Sequence, residues 1–225
     1  MNNSKIVYRS WLFRTETDRI LLLSMSFSVL LAILRIVFTG QLTFLFLVWN
    51  LFLAYVPYVL TTWLAMKPAY IERKLSFVLF FVAWLLFIPN SFYLVTDLFH
   101  LGHYRGVPLW FDLALIVSFA WNGVLLGILS VRQMEKIMQV YLLGKNELLF
   151  ILPVMWLNAF GIYIGRYLRF NSWDIITNPF ELFTDIAIMV LHPLQSRYAW
   201  GMIGCYTLLM TVIYLTMKRI TKTNA

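Results

Sequence analysis

A chain of 225 residues that is 61% hydrophobic, 18% aromatic and 12% charged carries more apolar surface than one water-soluble core of its size can bury. Lipid must be the solvent for much of it. The formal net charge of +8 would suggest a nucleic-acid partner in a soluble protein. Here basic residues flanking apolar spans account for it, and no nucleic-acid-binding motif is present. The single cysteine, Cys205, excludes an internal disulfide and a Cys-based zinc site.

Residues 1–19 interleave Lys5, Arg9, Arg14 and Arg19 with Tyr8, Trp11, Leu12 and Phe13. This pattern reads either as an interfacial segment on an anionic leaflet or as a basic tail. The apolar run that follows is long and has no small-x-small cleavage site, so it is expected to be a retained span. Six spans are predicted, at 20–38, 42–66, 75–98, 109–131, 148–168 and 198–217. Each has roughly the 20 residues needed to cross a hydrocarbon core of about 30 Å. All must be helical, because an open strand would leave backbone groups unpaired in lipid. Between them, 132–146 is expected as a polar, partly helical loop, and 169–197 as a long connection with an apolar patch at 186–191.

The basic residues orient this bundle. Lys5, Arg9, Arg14, Arg19, Lys67, Arg73, Lys74, Arg132, Lys136, Lys145, Lys218, Arg219 and Lys222 fall in the segments on one side; Arg105, Arg166, Arg169 and Arg197 fall on the other. That imbalance predicts cytoplasmic N- and C-termini. The expected architecture is therefore an all-α bundle of six spans, a single integral membrane domain over residues 1–225, in the plasma membrane.

The outer ends of spans 3 and 5 then carry unusual polarity. At about 100° per residue, Asn90, Tyr93, Asp97 and His100 fall on one stripe of span 3, while Phe92, Leu94, Val95, Leu98 and Phe99 point elsewhere. Such a stripe should face the bundle interior or a water-filled vestibule. Pro89 loosens the helix one turn earlier, and Asn90 can satisfy a freed carbonyl there. Asp97 and His100, at i and i+3, can hydrogen-bond each other, act as an acid/base pair, or bind a cation together. Span 5 ends in GIYIGRYLRFNSWD. Gly161 and Gly165 suit close helix packing. Arg166 and Arg169, followed by Asn171, Trp173 and Asp174, can snorkel, pair with Asp97, or clamp an anionic lipid head group by bidentate hydrogen bonds. Asp112 suits the positive end of a helix dipole. Asn122 suits an interhelical bond, and Arg35 is expected to snorkel from span 1. A divalent metal would draw its ligands from Asp97, His100 and His192, with His103 and Asp174 as further donors, although the spacing matches no established metal signature. The chain contains no G-x-S-x-G, H-E-x-x-H, Walker A or G-x-G-x-x-G motif.

The runs PNSFYLVTDLFHL, from Pro89 to Leu101, and GRYLRFNSWD, from Gly165 to Asp174, resemble a bacterial family of multi-spanning membrane proteins. That family is catalogued as a domain of unknown function, number thirteen-sixty-one spelled out. The likeness extends from span 2 to span 6. Where the family often has Ala-Pro between the Asn and the Tyr, this chain has Ser91-Phe92, which speaks against a role for the Ser91 hydroxyl. The resemblance implies an integral plasma-membrane protein with an outer-facing polar motif, and no established reaction. Three functions fit these residues. One is a membrane-embedded enzyme acting on a lipid or lipid-linked anion, with Asp97 and His100 catalytic and Asn90, Tyr93, Arg166, Arg169, Asn171, Trp173 and Asp174 binding substrate. The others are a small transporter and a non-catalytic assembly or scaffold subunit.

Overall fold

The computed structural model describes residues 16–103, 106–142, 146–170 and 174–223. Residues 1–15, and with them most of the basic N-terminal segment, lie outside the described residues, as do Tyr104, Arg105, Asn171 and Trp173. The described elements are helical throughout. They are α1 (Glu16–Thr39), α2 (Leu45–Met66), the short α3 (Pro68–Glu72), α4 (Lys74–Tyr93), a 3₁₀ segment (Leu94–His100), α5 (Leu109–Leu142), α6 (Leu148–Tyr163), a π-turn (Ile164–Leu168), α7 (Asp174–Thr177), α8 (Pro179–Leu191) and α9 (Arg197–Thr223). Among the described residues, six helices are long and apolar enough to cross a membrane: α1, α2, α4 with its 3₁₀ extension, α5, α6 with its π-turn, and α9. This is a multi-pass membrane protein.

The longest helix, α5, is the axis of the bundle. Its first half joins a core with α1, α2 and the 3₁₀ segment through Leu115, Ile116, Phe119 and Leu126. Its second half joins α4, α6 and α9 through Ile128, Val131, Met134 and Ile137. The stretch after Val131 stays helical as far as Leu142, so the partly helical segment expected at 132–146 is helix over more of its length than a loop would be. The polar residues that suggested a loop have partners. Glu135 is buried, accepts from Tyr214 and from Lys218 Nζ (2.5 Å), and shares that lysine with Glu147. Lys218 is thus a buried, paired cation rather than a loose flanking charge. α9 likewise continues past the expected end of span 6 to Thr223.

α4 is gripped from two sides by glycines. On α5, a Cβ at Gly123 would overlap the Ser91 carbonyl oxygen, and one at Gly127 would lie 2.7 Å from the Phe92 ring. On α6, a Cβ at Gly161 would lie 2.7 Å from the Pro89 ring, and one at Gly165 would lie 3.2 Å from the Tyr93 ring. Each pair has the G-x-x-x-G spacing that lets helix backbones approach closely in lipid. Ser91 adds a third attachment, donating to the Ala54 carbonyl of α2 at 2.9 Å. A Gly123→Ala variant should lose about 1–3 kcal/mol through overpacking. Gly201→Ala meets open space and should leave the thermal unfolding midpoint in detergent unchanged.

Candidate functional site

The close approach of α6 to α4 brings the π-turn against the 3₁₀ segment. Both departures from α-helix shape the site. In a 3₁₀ helix residues three apart eclipse, so Asp97 and His100 stay on one face, and Thr96 comes directly above Tyr93. The reading at about 100° per residue is corrected here: the seven residues from Leu94 to His100 are wound more tightly. The π-turn ends at Arg169 in the left-handed conformation, φ 62°, where the Arg169 and Phe170 N–H groups both cap the Ile164 carbonyl.

Arg166 is the hub. Its Nη2 donates to Asp97 Oδ1 at 2.5 Å and to Thr96 Oγ1 at 2.7 Å. Its Nε donates to the same Thr96 oxygen at 2.9 Å, and its Nη1 lies 3.0 Å from His100 Nε2. The guanidinium carbon sits 4.5 Å from the centre of the Tyr93 ring and 5.9 Å from that of Phe99. Phe99 therefore also borders the group from which the helical wheel had excluded it. Asp97 is 1% exposed, and its second oxygen, Oδ2, accepts from Asn50 Nδ2 of α2 at 3.1 Å. Three elements thus meet at one buried carboxylate. The Thr96 hydroxyl is oriented by donating to the Tyr93 carbonyl at 2.7 Å. His100 stands edge-on to Phe46, with ring centres 5.1 Å apart.

The other sequence candidates divide. Asn90 donates to the Phe87 carbonyl at 3.0 Å, within the helix loosened by Pro89. Arg169 is exposed and makes no ion pair among the described residues, so it does not join Arg166 on Asp97. Asp174 accepts from Thr177 at 2.9 Å in the first turn of α7. His192 is exposed at the end of α8, and His103 is exposed with its ring 6.1 Å from that of His100. No group of three His, Cys, Asp or Glu side chains is gathered for a metal among the described residues, so Asp97, His100 and His192 do not form one donor set.

Arg35 and Asp112 are corrected as well. Arg35 does not snorkel; it is 1% exposed. Its Nε donates to Asp112 Oδ1 at 2.7 Å, its Nη2 lies 3.4 Å from Oδ2, and its Nη1 donates to Thr43 at 2.5 Å. Asp112 therefore answers a buried cation as well as a helix terminus. Asn122 bonds across helices as expected, donating to Ser28 Oγ at 2.9 Å and to the Ser24 carbonyl at 3.2 Å.

Beside the Asp97–Arg166 pair lies a cavity of about 270 Å³ lined by α2, α4, α6, Phe170 and Leu182 of α8. Most of its wall is apolar, and its polar side chains are Asn50, Asn90, Tyr93 and the Trp49 indole. Trp49, Leu86 and Leu157 are 52%, 38% and 36% exposed, so the cavity opens sideways between α2 and α6, toward the lipid-facing surface. Asn50 belongs to both features, lining the cavity and holding Asp97. Sequence reasoning missed Asn50 and Thr96. The signal for Asn50 was a lone carboxamide inside an otherwise apolar span.

Residues 49–213 match the model of a family described as "Protein of unknown function (DUF1361)". That match runs from the second turn of α2 through most of α9 and includes every member of the Asp97–Arg166 group. No curated protein and no solved structure matches the chain.

Proposed function

Since the chain belongs to the DUF1361 family, whose description names no activity, we propose a function from the site itself. The protein binds a lipid or lipid-linked molecule through the cavity of α2, α4 and α6, in the outer half of the plasma membrane. Both termini lie in the cytoplasm, a reading supported by the excess of Lys and Arg on the segments that join them. The observation that carries the binding function is the shared role of Asn50. One amide side chain lines a laterally open apolar cavity and holds the buried Asp97 of the charged group. A ligand that enters from the bilayer and meets a few placed polar groups is what such a cavity suits. Asn90 and Tyr93 are binding residues here, and Asp97, His100, Thr96 and Arg166 fix the wall behind them. Arg169, exposed beyond the π-turn, is not among the residues that line the cavity.

Filling the cavity tests this. Native mass spectrometry of the wild-type protein from mild detergent should show one retained lipid. Leu53→Trp should reduce that adduct by about tenfold or more, corresponding to about 1.4 kcal/mol, while the protein stays folded. A wild-type spectrum free of lipid under conditions that keep annular lipids on a control membrane protein would sink the proposal.

A second reading, a non-catalytic assembly subunit, is favoured by one observation. Arg166 spends four N–H contacts on Thr96, Asp97 and His100. Acid/base work by Asp97 and His100 would first require Arg166 to move, so the resting geometry favours a packing role for the group over catalysis.

A further inference from the structure

We infer that the cavity selects a lipid whose polar end is uncharged, an alcohol, ester or ether, and turns away a phosphate. The inference rests on the lipid-binding reading above and names its ligand class.

The argument begins with which atoms can donate. An arginine N–H only donates, so His100 Nε2, 3.0 Å from Arg166 Nη1, must present its lone pair. The imidazole is then neutral, with its proton on Nδ1. Asp97 and Arg166 cancel at 2.5 Å. The group behind the cavity wall thus has no net charge, although it contains three ionisable side chains. It is also screened from the cavity. Asn50 stands on Asp97 Oδ2, and the Tyr93 ring stands against the guanidinium.

Among the described residues, the wall contains no Lys, Arg, Asp, Glu or His. Its polar groups are two carboxamides, a phenol and an indole, which match hydroxyl and carbonyl oxygens one hydrogen bond at a time. A phosphate would leave water for a largely apolar wall with no cation among its described lining residues, and burying an unpaired charge is far more expensive than burying a hydrogen-bonded hydroxyl. Volume sets a further limit. About 270 Å³ lies just below the range of roughly 300–1,000 Å³ typical of whole small-molecule sites. The cavity therefore holds the polar end and one chain segment, and the rest of the lipid leaves past Trp49, Leu86 and Leu157 into the bilayer.

The test uses the full-length protein in phosphatidylcholine nanodiscs with two photoreactive probes of identical acyl chains. One probe is a diacylglycerol and the other the corresponding phosphatidic acid. Cross-linked peptides are located by mass spectrometry. The diacylglycerol should label peptides spanning 49–53, 85–93 or 157–165 about tenfold more than phosphatidic acid does, equivalent to about 1.4 kcal/mol. Leu53→Trp, and separately Leu86→Trp, should suppress that labelling. Equal or stronger labelling of these peptides by phosphatidic acid would overturn the uncharged-ligand inference and leave lipid binding standing. Absence of labelling there by both probes would overturn both readings.

Discussion

Arg166→Ala is expected to cost about 3–5 kcal/mol, the penalty for stranding a buried carboxylate. Asp97 is 1% exposed; without Arg166 it keeps only the Asn50 amide among the contacts described above. Thr96 Oγ1 loses two donors in the same change. Folded proteins have margins of about 5–15 kcal/mol, so the loss should appear as poor recovery of monodisperse protein and a clearly lower unfolding temperature in detergent. Removing both charges should reverse it. Arg166→Met combined with Asp97→Leu should recover the fold, because apolar replacement of a buried pair is often neutral or stabilising by about 1–4 kcal/mol. The informative measurement is then lipid retention by the double variant. Recovery of the fold without the lipid adduct assigns the pair to the binding site, through the Asn50 and Tyr93 it orients. Recovery of both assigns it to helix packing and favours the assembly reading.

Arg35→Met should have a comparable effect, again about 3–5 kcal/mol, with a different outcome in function. Asp112 is 2% exposed, and Arg35 meets both of its oxygens while stacking over the Phe44 ring at 4.4 Å. Arg35→Lys should recover only part of the loss, since an ammonium is a point charge and cannot copy the planar fork. Arg35→Met with Asp112→Leu should restore the unfolding temperature and leave lipid retention at the wild-type level, because neither residue lines the cavity. Loss of the adduct in that double variant would show that this pair also supports the site.

The spans were readable because lipid imposes one demand on every turn of helix: apolar side chains outside and satisfied backbone inside. Span ends were less readable where polar residues have partners far away in sequence. Glu135 looks like loop material beside Arg132 and Lys136, and it becomes core only because Tyr214 and Lys218 arrive from α9. Arg35 shows the same limit. A cation near a span end has a cheap exit to water, and nothing local reveals that Asp112, 77 positions later, will hold it inside. At the site, the motifs drew attention to Asp97, His100 and Arg166, which do come together. A uniform helical wheel could not see Thr96, whose role depends on the tighter winding after Tyr93. Nor could it see Asn50, since α2 carries neither motif. Arg169 was grouped with Arg166 by spacing, but the left-handed residue ends the helix there and separates the two.

The wide turn at Ile164–Leu168 gives this region an unusual vulnerability. A π-turn spends one residue more than an α-turn over the same arc. The position of Arg166 opposite Thr96, Asp97 and His100 therefore depends on how many residues precede it as well as on which residues they are. Removing a single apolar residue such as Ile164, with every polar group retained, would let the chain close into regular helix over the same arc, and Arg166, which lies inside that arc, would lose the position the wide turn gives it. Outside Gly165 and Arg166, this segment should consequently tolerate substitution by residues of similar size better than a change in length.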